Sequence, residues 1–119
     1  MEIIKLGPIE TRFADIIWAN EPISSGELAQ LCAEQLQWKR TTTYTVLKKL
    51  SEKRLFINEK GTVRSLVSRG EYYAMQSRQF VDETFEGSLP AFLAAFTGGE
   101  KLSKSEIEQL QRLIDQSRG

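Results

Sequence analysis

The order of the hydrophobic patterns constrains the fold most strongly, because three helical stripes are followed by two short β-type runs. Apolar residues recur at helical spacing over about 8–19, 25–36 and 40–53. The runs 55–58 and 62–66 come next, separated by Glu59-Lys60-Gly61, a connection with the length and the glycine of a hairpin. Three helices followed by a hairpin is the order of a winged helix-turn-helix. We therefore predict this architecture for the first part of the chain.

The third predicted helix carries an unusually basic and hydroxyl-rich outer face. Its inward stripe consists of Thr43, Val46, Leu47 and Leu50, which leaves the other side chains facing outward at 3.6 residues per turn. Residues 39–54 contain six basic residues and one acid, a net charge of +5. Most charged runs are simply solvated helix faces, and this run alone does not exclude that reading. In a winged helix, however, the third helix lies in the major groove and the hairpin contacts the flanking phosphates.

Two classes of DNA contact follow from the residue types. Short hydroxyl side chains at the start of the third helix can approach base edges, and a threonine methyl can touch a thymine methyl. The predicted base-contacting residues are Thr41, Thr42, Tyr44 and Thr45. Basic side chains bind phosphates, which supply affinity without sequence information. The predicted phosphate contacts are Arg40, Lys48, Lys49 and Lys53 on the helix, with Lys60 and Arg64 on the hairpin.

The second part of the chain is predicted to be helical and to form a dimer. Helical patterns cover 71–86 and 89–96, and Ser103 with Glu106 has the spacing of a capping box before a last helix. Three short amphipathic helices cannot bury their apolar faces alone, and a second copy is the simplest cover. The predicted interface residues are Tyr72, Phe80, Phe85, Leu89, Phe92, Phe96, Ile107, Leu110 and Ile114. The expected fold is mostly α with a small β-hairpin, with a DNA-binding domain at 1–69 and a helical dimerisation domain at 70–119.

The composition excludes several functional classes. The 119 residues include no histidine and one cysteine, so the usual general base and the usual zinc ligands are missing. We expect no enzyme activity, no metal, no cofactor and no small-molecule ligand. Cys32 lies on the apolar face of the second helix and is expected to be a buried, inert thiol. No apolar run could span a bilayer, and Met1–Leu6 lacks signal-peptide features, so a cytoplasmic location is expected.

The zero net charge hides an asymmetry that agrees with this division. Residues 1–70 carry eleven basic against eight acidic side chains, whereas residues 71–119 carry five against eight. The first part is thus net +3 and the second net −3. A positive first part suits a nucleic-acid partner despite the neutral total.

Two separate strings resemble the penicillinase repressor family. The first runs from Trp38 to Leu50 (WKRTTTYTVLKKL) and ends in EKRL at 52–55, and it is similar to the family's third-helix signature. The second comprises LVSRGEY at 66–72, FEGSL at 85–89, LAAF at 93–96, and LS at 102–103 with IEQL at 107–110. The resemblance covers nearly the whole chain and implies a winged-helix homodimer that blocks transcription from a dyad-symmetric operator.

The resemblance also implies a mode of release. In β-lactam-responsive members a membrane sensor metalloprotease triggers cleavage between the dimerisation helices, typically at an Asn-Phe bond. The matching position here is Ala95-Phe96, which is the candidate cleavage site. Copper-responsive members carry paired Cys-x-Cys motifs near the C-terminus, and this chain has none.

An alternative function is a winged-helix adaptor that binds protein and no DNA. Such a module should expose apolar residues on the third helix, whereas this helix presents Thr, Lys and Arg. An enzyme would need a nucleophile with a base or a metal, and the sequence supplies neither arrangement.

Overall fold

The computed structural model describes residues 5–118, which form six helices and three short strands. In chain order these are α1 (Pro8–Asn20), β1 (Ile23–Ser24), α2 (Ser25–Leu36), α3 (Arg40–Glu52), β2 (Phe56–Glu59), β3 (Thr62–Ser65), α4 (Arg69–Phe85), α5 (Leu89–Thr97) and α6 (Lys104–Gln116). Most of the Met1–Leu6 segment lies outside the described residues. The predicted fold class, a mostly helical chain with a winged helix-turn-helix, is confirmed. The chain divides into two compact units, one ending at Ser77 and one beginning at Arg78.

A sharp turn between α2 and α3 produces the helix-turn-helix. The Ser24 hydroxyl accepts a hydrogen bond from the Glu27 N–H at 3.1 Å, which caps the start of α2 as its spacing predicts. Gln37 ends α2 in the left-handed region at φ 56°, and its N–H donates to the Cys32 carbonyl. Because the chain reverses there, α3 can begin at Arg40 and pack against α2.

The core of the first unit joins α1, α2, α3, the sheet and the start of α4. Its largest fully buried side chains are Phe13, Phe56, Ile17, Leu28, Leu50, Leu55, Val63, Thr43 and Cys32. Trp38, between α2 and α3, is half-buried and stacks on Phe13 with ring centroids 5.4 Å apart. Aromatic stacking of this kind adds to the area that both rings bury. The α3 stripe of Thr43, Leu47 and Leu50 therefore faces this core, which orients the opposite side of the helix toward solvent.

The sheet has one strand more than the predicted hairpin. Its order is β1-β3-β2, and both pairings are antiparallel. Two residues, Ile23 and Ser24, add β1 to the free edge of the hairpin by pairing with Val63 and Thr62. The hairpin loop is also tighter than predicted, since Glu59 pairs with Thr62 and only Lys60-Gly61 turn the chain. Both turn residues have positive φ, 51° and 86°, as a two-residue type I′ turn requires.

One predicted interface residue belongs to the core instead. The Tyr72 side chain is 3% exposed, packs in the first unit's core and has its ring centroid 5.5 Å from that of Trp18. Because α4 begins at Arg69, two residues earlier than predicted, its first turn packs on the winged helix. Tyr72 has no exposed surface left for a second copy to cover, and we correct the interface prediction at this position.

The second unit, in contrast, buries no side chain fully. The end of α4 and all of α5 and α6 contain no buried residue within the described part of the chain. Its aromatic residues form one cluster in which the Phe92 ring lies 5.6 Å from Phe85 and 6.0 Å from both Phe80 and Phe96. The predicted capping box of α6 is confirmed, because Ser103 and Glu106 exchange both hydrogen bonds. Among the described residues no helix is long and apolar enough to cross a membrane.

Candidate nucleic-acid interface

The candidate interface is the exposed side of α3, opposite the buried Thr43, Leu47 and Leu50. Four side chains proposed for base contact and three of the proposed phosphate contacts lie on exposed residues of α3. They are Thr41, Thr42, Tyr44, Thr45, Arg40, Lys48 and Lys49. Lys53, also exposed, follows directly after the helix. The structure therefore presents the hydroxyl and basic residues on one helix whose other side is anchored in the core.

Arg40 and Tyr44 form a pair one helical turn apart. The Arg40 Nε donates a hydrogen bond to the Tyr44 Oη at 3.1 Å, and its guanidinium carbon lies 5.9 Å from the ring centroid. Because the phenol accepts from Arg40, its own O–H stays free to donate. The contact also restricts the rotamers of two long side chains before any ligand arrives. It therefore pre-organises one end of the candidate interface.

Among the three outer threonines of α3, the hydroxyl group of Thr45 is engaged within the helix. The Thr45 Oγ1 donates to the Thr41 carbonyl at 2.9 Å, a bond within the helix that occupies the hydroxyl proton. The Thr45 methyl group and the oxygen lone pairs remain for contacts with a ligand. Thr42 is exposed on the same helix. It is therefore the better position at which to test base recognition.

Two predicted phosphate contacts are engaged in ion pairs. The Lys49 Nζ lies 3.2 Å from the Glu10 Oε2 of α1, and the Arg64 Nη2 lies 2.7 Å from the Glu59 Oε1 across the hairpin. The sequence patterns indicate neither pair, because Glu10 is distant from Lys49 along the chain and the hairpin pattern places Glu59 in the loop. Lys48, Lys53 and Lys60 are exposed.

Glu10 has an environment that keeps it ionised. Its Oε1 accepts a hydrogen bond from the Gly7 N–H at 3.2 Å, which is the main reason that the Glu10 pKa lies below its ordinary value. The partial burial of the carboxylate opposes this shift, and the nearby charges of Lys49 and Lys53 add to it. A carboxylate in the first turn is also favoured by the helix dipole. The negative charge beside the basic end of α3 is therefore permanent at neutral pH.

The hairpin is held by a carboxylate that the sequence did not single out. Glu21, just after α1, accepts hydrogen bonds from the Ser65 N–H and from the Ser65 hydroxyl, both at 2.8 Å through its Oε1. This contact ties the end of β3 to α1. Together with the pairing of β1 and β3, this contact fixes the position of the hairpin, the predicted wing, relative to α1.

Comparison with known proteins decides the family. The model of a family described as "Penicillinase repressor" matches residues 6–116. The chain belongs to the penicillinase repressor family. Its relatives include proteins named "Methicillin resistance regulatory protein MecI", with 25% identity to the one from Staphylococcus aureus and 24% to the one from Mammaliicoccus sciuri. Each alignment covers 93% of this chain and 94% of the relative.

A further relative comes from a third genus. The protein named "Penicillinase repressor" from Bacillus licheniformis is 22% identical over 97% of this chain and 93% of its own length. The family match spans both compact units. It confirms the resemblance seen in the two strings of the sequence.

Proposed function

We propose that this chain is a transcriptional repressor that binds a dyad-symmetric operator as a homodimer. The observation that carries the proposal is the exposed hydroxyl and basic side of α3, in a chain that belongs to the penicillinase repressor family. In this role α3 enters the major groove, where Thr41, Thr42, Tyr44 and Thr45 contact base edges. Arg40, Lys48 and Lys53 bind phosphates, with Lys60 and Arg64 doing the same from the hairpin.

The dimer is supported by the apolar surface of the second unit. Several large side chains there are more than half exposed: Phe80, Leu89, Phe96, Ile107, Leu113 and Ile114. A groove between α5 and α6 is lined by the apolar residues Phe92, Leu93, Phe96, Leu102, Leu110 and Leu113. Exposed apolar area of this kind is costly in water and is typical of a protein interface. A second copy of the same unit covers it and places two α3 helices on one operator.

Release by proteolysis in the second unit completes the proposal. Ala95 and Phe96 are both exposed in the last turns of α5. A cut there separates α6 from α5 and so divides the proposed dimer surface. A membrane sensor metalloprotease is the partner that the family resemblance suggests. Mass spectrometry of the chain from induced cells tests this step, and intact chain under full induction would argue against it.

The alternative, a winged-helix adaptor without DNA binding, requires an apolar face on α3. Within the described residues of α3, Tyr44 is the one exposed large hydrophobic side chain, and it is paired with Arg40. The remaining outer residues are threonine, lysine and glutamate. This surface suits a polyanion better than an apolar partner.

Footprinting on the DNA upstream of the chain's own gene tests the proposed function. The expected result is protection of two half-sites related by a dyad and centred roughly one helical turn, or a multiple of it, apart. The control is Lys48→Gln, which should show the same footprint only at higher protein concentration. Uniform binding without protected sequence, or no binding, would contradict a sequence-specific repressor.

A further inference from the structure

The ion pair between Glu10 and Lys49 connects the start of α1 to the candidate DNA-contacting helix. Glu10 is held from two sides, by the Gly7 N–H on Oε1 and by the Lys49 ammonium on Oε2. Its side chain is 23% exposed, whereas that of Lys49 is 58% exposed. The carboxylate is thus the fixed member of the pair, and the lysine is the member that reaches to it.

This fixed carboxylate changes what Lys49 can contribute to DNA binding. A lysine adds to the salt dependence of binding when its charge neutralises a phosphate and a counterion is released. The Lys49 ammonium already has a carboxylate partner at 3.2 Å, and the capping bond holds that partner in place. A phosphate that took Lys49 would leave Glu10 as an uncompensated negative charge close to the DNA backbone, which repels the same phosphates.

We propose that Glu10 withholds Lys49 from DNA and thereby limits the sequence-independent affinity of the interface. Lys49 is then a positioning residue that links α3 to α1, while Lys48 on the adjacent position of the same helix is a phosphate ligand. Glu10 acts through Lys49 and touches no DNA. Such a device lowers the affinity for operator and for random DNA by a similar factor, because a phosphate contact carries no sequence information. This inference rests on the proposed function, and it assigns roles inside that same interface.

The chain offers matched variants for a test with the full-length protein. Glu10→Gln removes the charge but keeps a side-chain oxygen that can accept from the Gly7 N–H, since glutamine also serves in a capping box. Lys49→Gln removes the other partner, and Lys48→Gln is the control at the neighbouring position. The double variant Glu10→Gln/Lys49→Gln shows whether Glu10 acts through Lys49. The probe is a random-sequence DNA duplex, and the readout is the slope of log binding constant against log salt.

The proposal predicts the salt slope of each variant. Glu10→Gln should steepen the slope by about 0.9 per protomer, because it frees one lysine to neutralise a phosphate. The double variant should have the wild-type slope, because it removes a pair with no net charge. Lys48→Gln should be shallower by about 0.9 per protomer, and so should Lys49→Gln, which leaves the Glu10 carboxylate unpaired. A purely structural role for the pair would change stability and leave the slope of Glu10→Gln at the wild-type value.

The outcomes separate this inference from the proposed function. If the double variant flattened the slope as much as Lys48→Gln, or if Glu10→Gln left it unchanged, Glu10 would not withhold Lys49. The repressor function would stand in either case, because the wild-type protein would still bind the duplex. Absence of salt-dependent binding by the wild-type protein would overturn both.

Discussion

At the scale of single residues, the contacts of α3 separate side chains that the sequence treats as equivalent. Lys48 and Lys49 are adjacent lysines on one basic helix, and the sequence assigned both to phosphates. Only the fold brings the Glu10 carboxylate within 3.2 Å of the Lys49 ammonium, because α1 and α3 both contribute to the same core. The exposed positions of Thr42 and Lys48, in contrast, follow from the helical period once Leu47 and Leu50 are placed inside.

We expect Thr42→Ala and Lys48→Ala to weaken DNA binding in different ways. Loss of the Thr42 hydroxyl and methyl should cost about 1 to 3 kcal/mol on the operator and little on random DNA, because only base edges carry sequence information. Lys48→Ala should weaken both by a similar factor, since phosphates are the same everywhere. Titrations of both duplexes at one salt concentration measure the two ratios. Equal ratios for the two variants would remove base recognition from the start of α3.

Protonation of Glu10 should lower the stability of the folded state at acid pH. Its pKa is lowered in the folded protein, mainly by the Gly7 N–H, so the group is more acidic there than its ordinary value of 4.5. The stabilisation is fully present above that ordinary value and is lost as the pH falls through the lowered one. Wild-type protein should exceed Glu10→Gln in stability by up to about 1 kcal/mol at neutral pH, the range of exposed pairs. Urea unfolding of both at neutral pH and at about pH 3 tests this, and an undiminished difference in acid would contradict it.

The burial of the Cys32 side chain is predictable from the sequence. Its place on the apolar face of α2 predicted an inert thiol, and the side chain is fully buried. Burial raises the pKa of the Cys32 thiol, while contact with Thr43 opposes that shift. The reactive thiolate is therefore disfavoured.

At the scale of elements, helices were predictable and the sheet edge was not. The apolar stripes and capping residues predict helices that begin near Ser25 and Lys104, where α2 and α6 begin. They can do so because local spacing specifies a helix. Strand β1 has two residues, too few for any alternation, and it exists because the hairpin edge lies beside it. The contact between Glu21 and Ser65 also depends on the fold, because the two residues are distant in sequence. Local spacing therefore gives no sign of it.

Loss of the Glu21 carboxylate should loosen this end of the hairpin. Glu21→Ala leaves the half-buried Ser65 N–H and hydroxyl without their acceptor, which should lower the free energy of unfolding by about 1 to 3 kcal/mol. Glu34→Ala, at an exposed residue of α2 outside its first turn, is the control for loss of one negative charge. Chemical denaturation gives the stability, and amide exchange of β3 shows where it is lost. A Glu21→Ala protein as stable as the control would mean that water replaces the carboxylate.

At the scale of the whole molecule, the two compact units differ in whether they have a buried core of their own. The first unit fully buries large side chains such as Phe13, Phe56 and Leu28, whereas the second unit fully buries none among its described residues. The sequence indicated this contrast through three apolar stripes that exceed what one copy can cover. It did not indicate that the first turn of α4 belongs to the first unit, because Tyr72 continues the aromatic pattern of the residues after it.

In the proposed dimer, the apolar face of α6 supports both assembly and operator binding. Leu113→Asp places a charge on the apolar face of α6, where the side chain is 58% exposed and lines the groove with α5. Burying an unpaired charge in an interface is strongly unfavourable, so the variant should be a monomer in analytical ultracentrifugation at concentrations where the wild-type chain is a dimer. Ser105→Asp adds the same charge at an exposed residue of α6 outside the apolar stripe of Ile107, Leu110 and Ile114, and it should remain dimeric.

The two variants should differ in DNA binding as a consequence of assembly alone. A monomer carries one α3 and contacts one half-site. In a dimer, binding of the first α3 holds the second α3 at a high effective concentration near its half-site. Leu113→Asp lacks this effect and should lose operator affinity by orders of magnitude. Its α3 is unchanged, and the salt slope per protomer on random DNA should therefore stay at the wild-type value. If Leu113→Asp stayed dimeric, the apolar face of α6 would not be the dimer surface. If it became a monomer and still bound the operator as tightly as Ser105→Asp, operator recognition would not depend on two joined copies of α3.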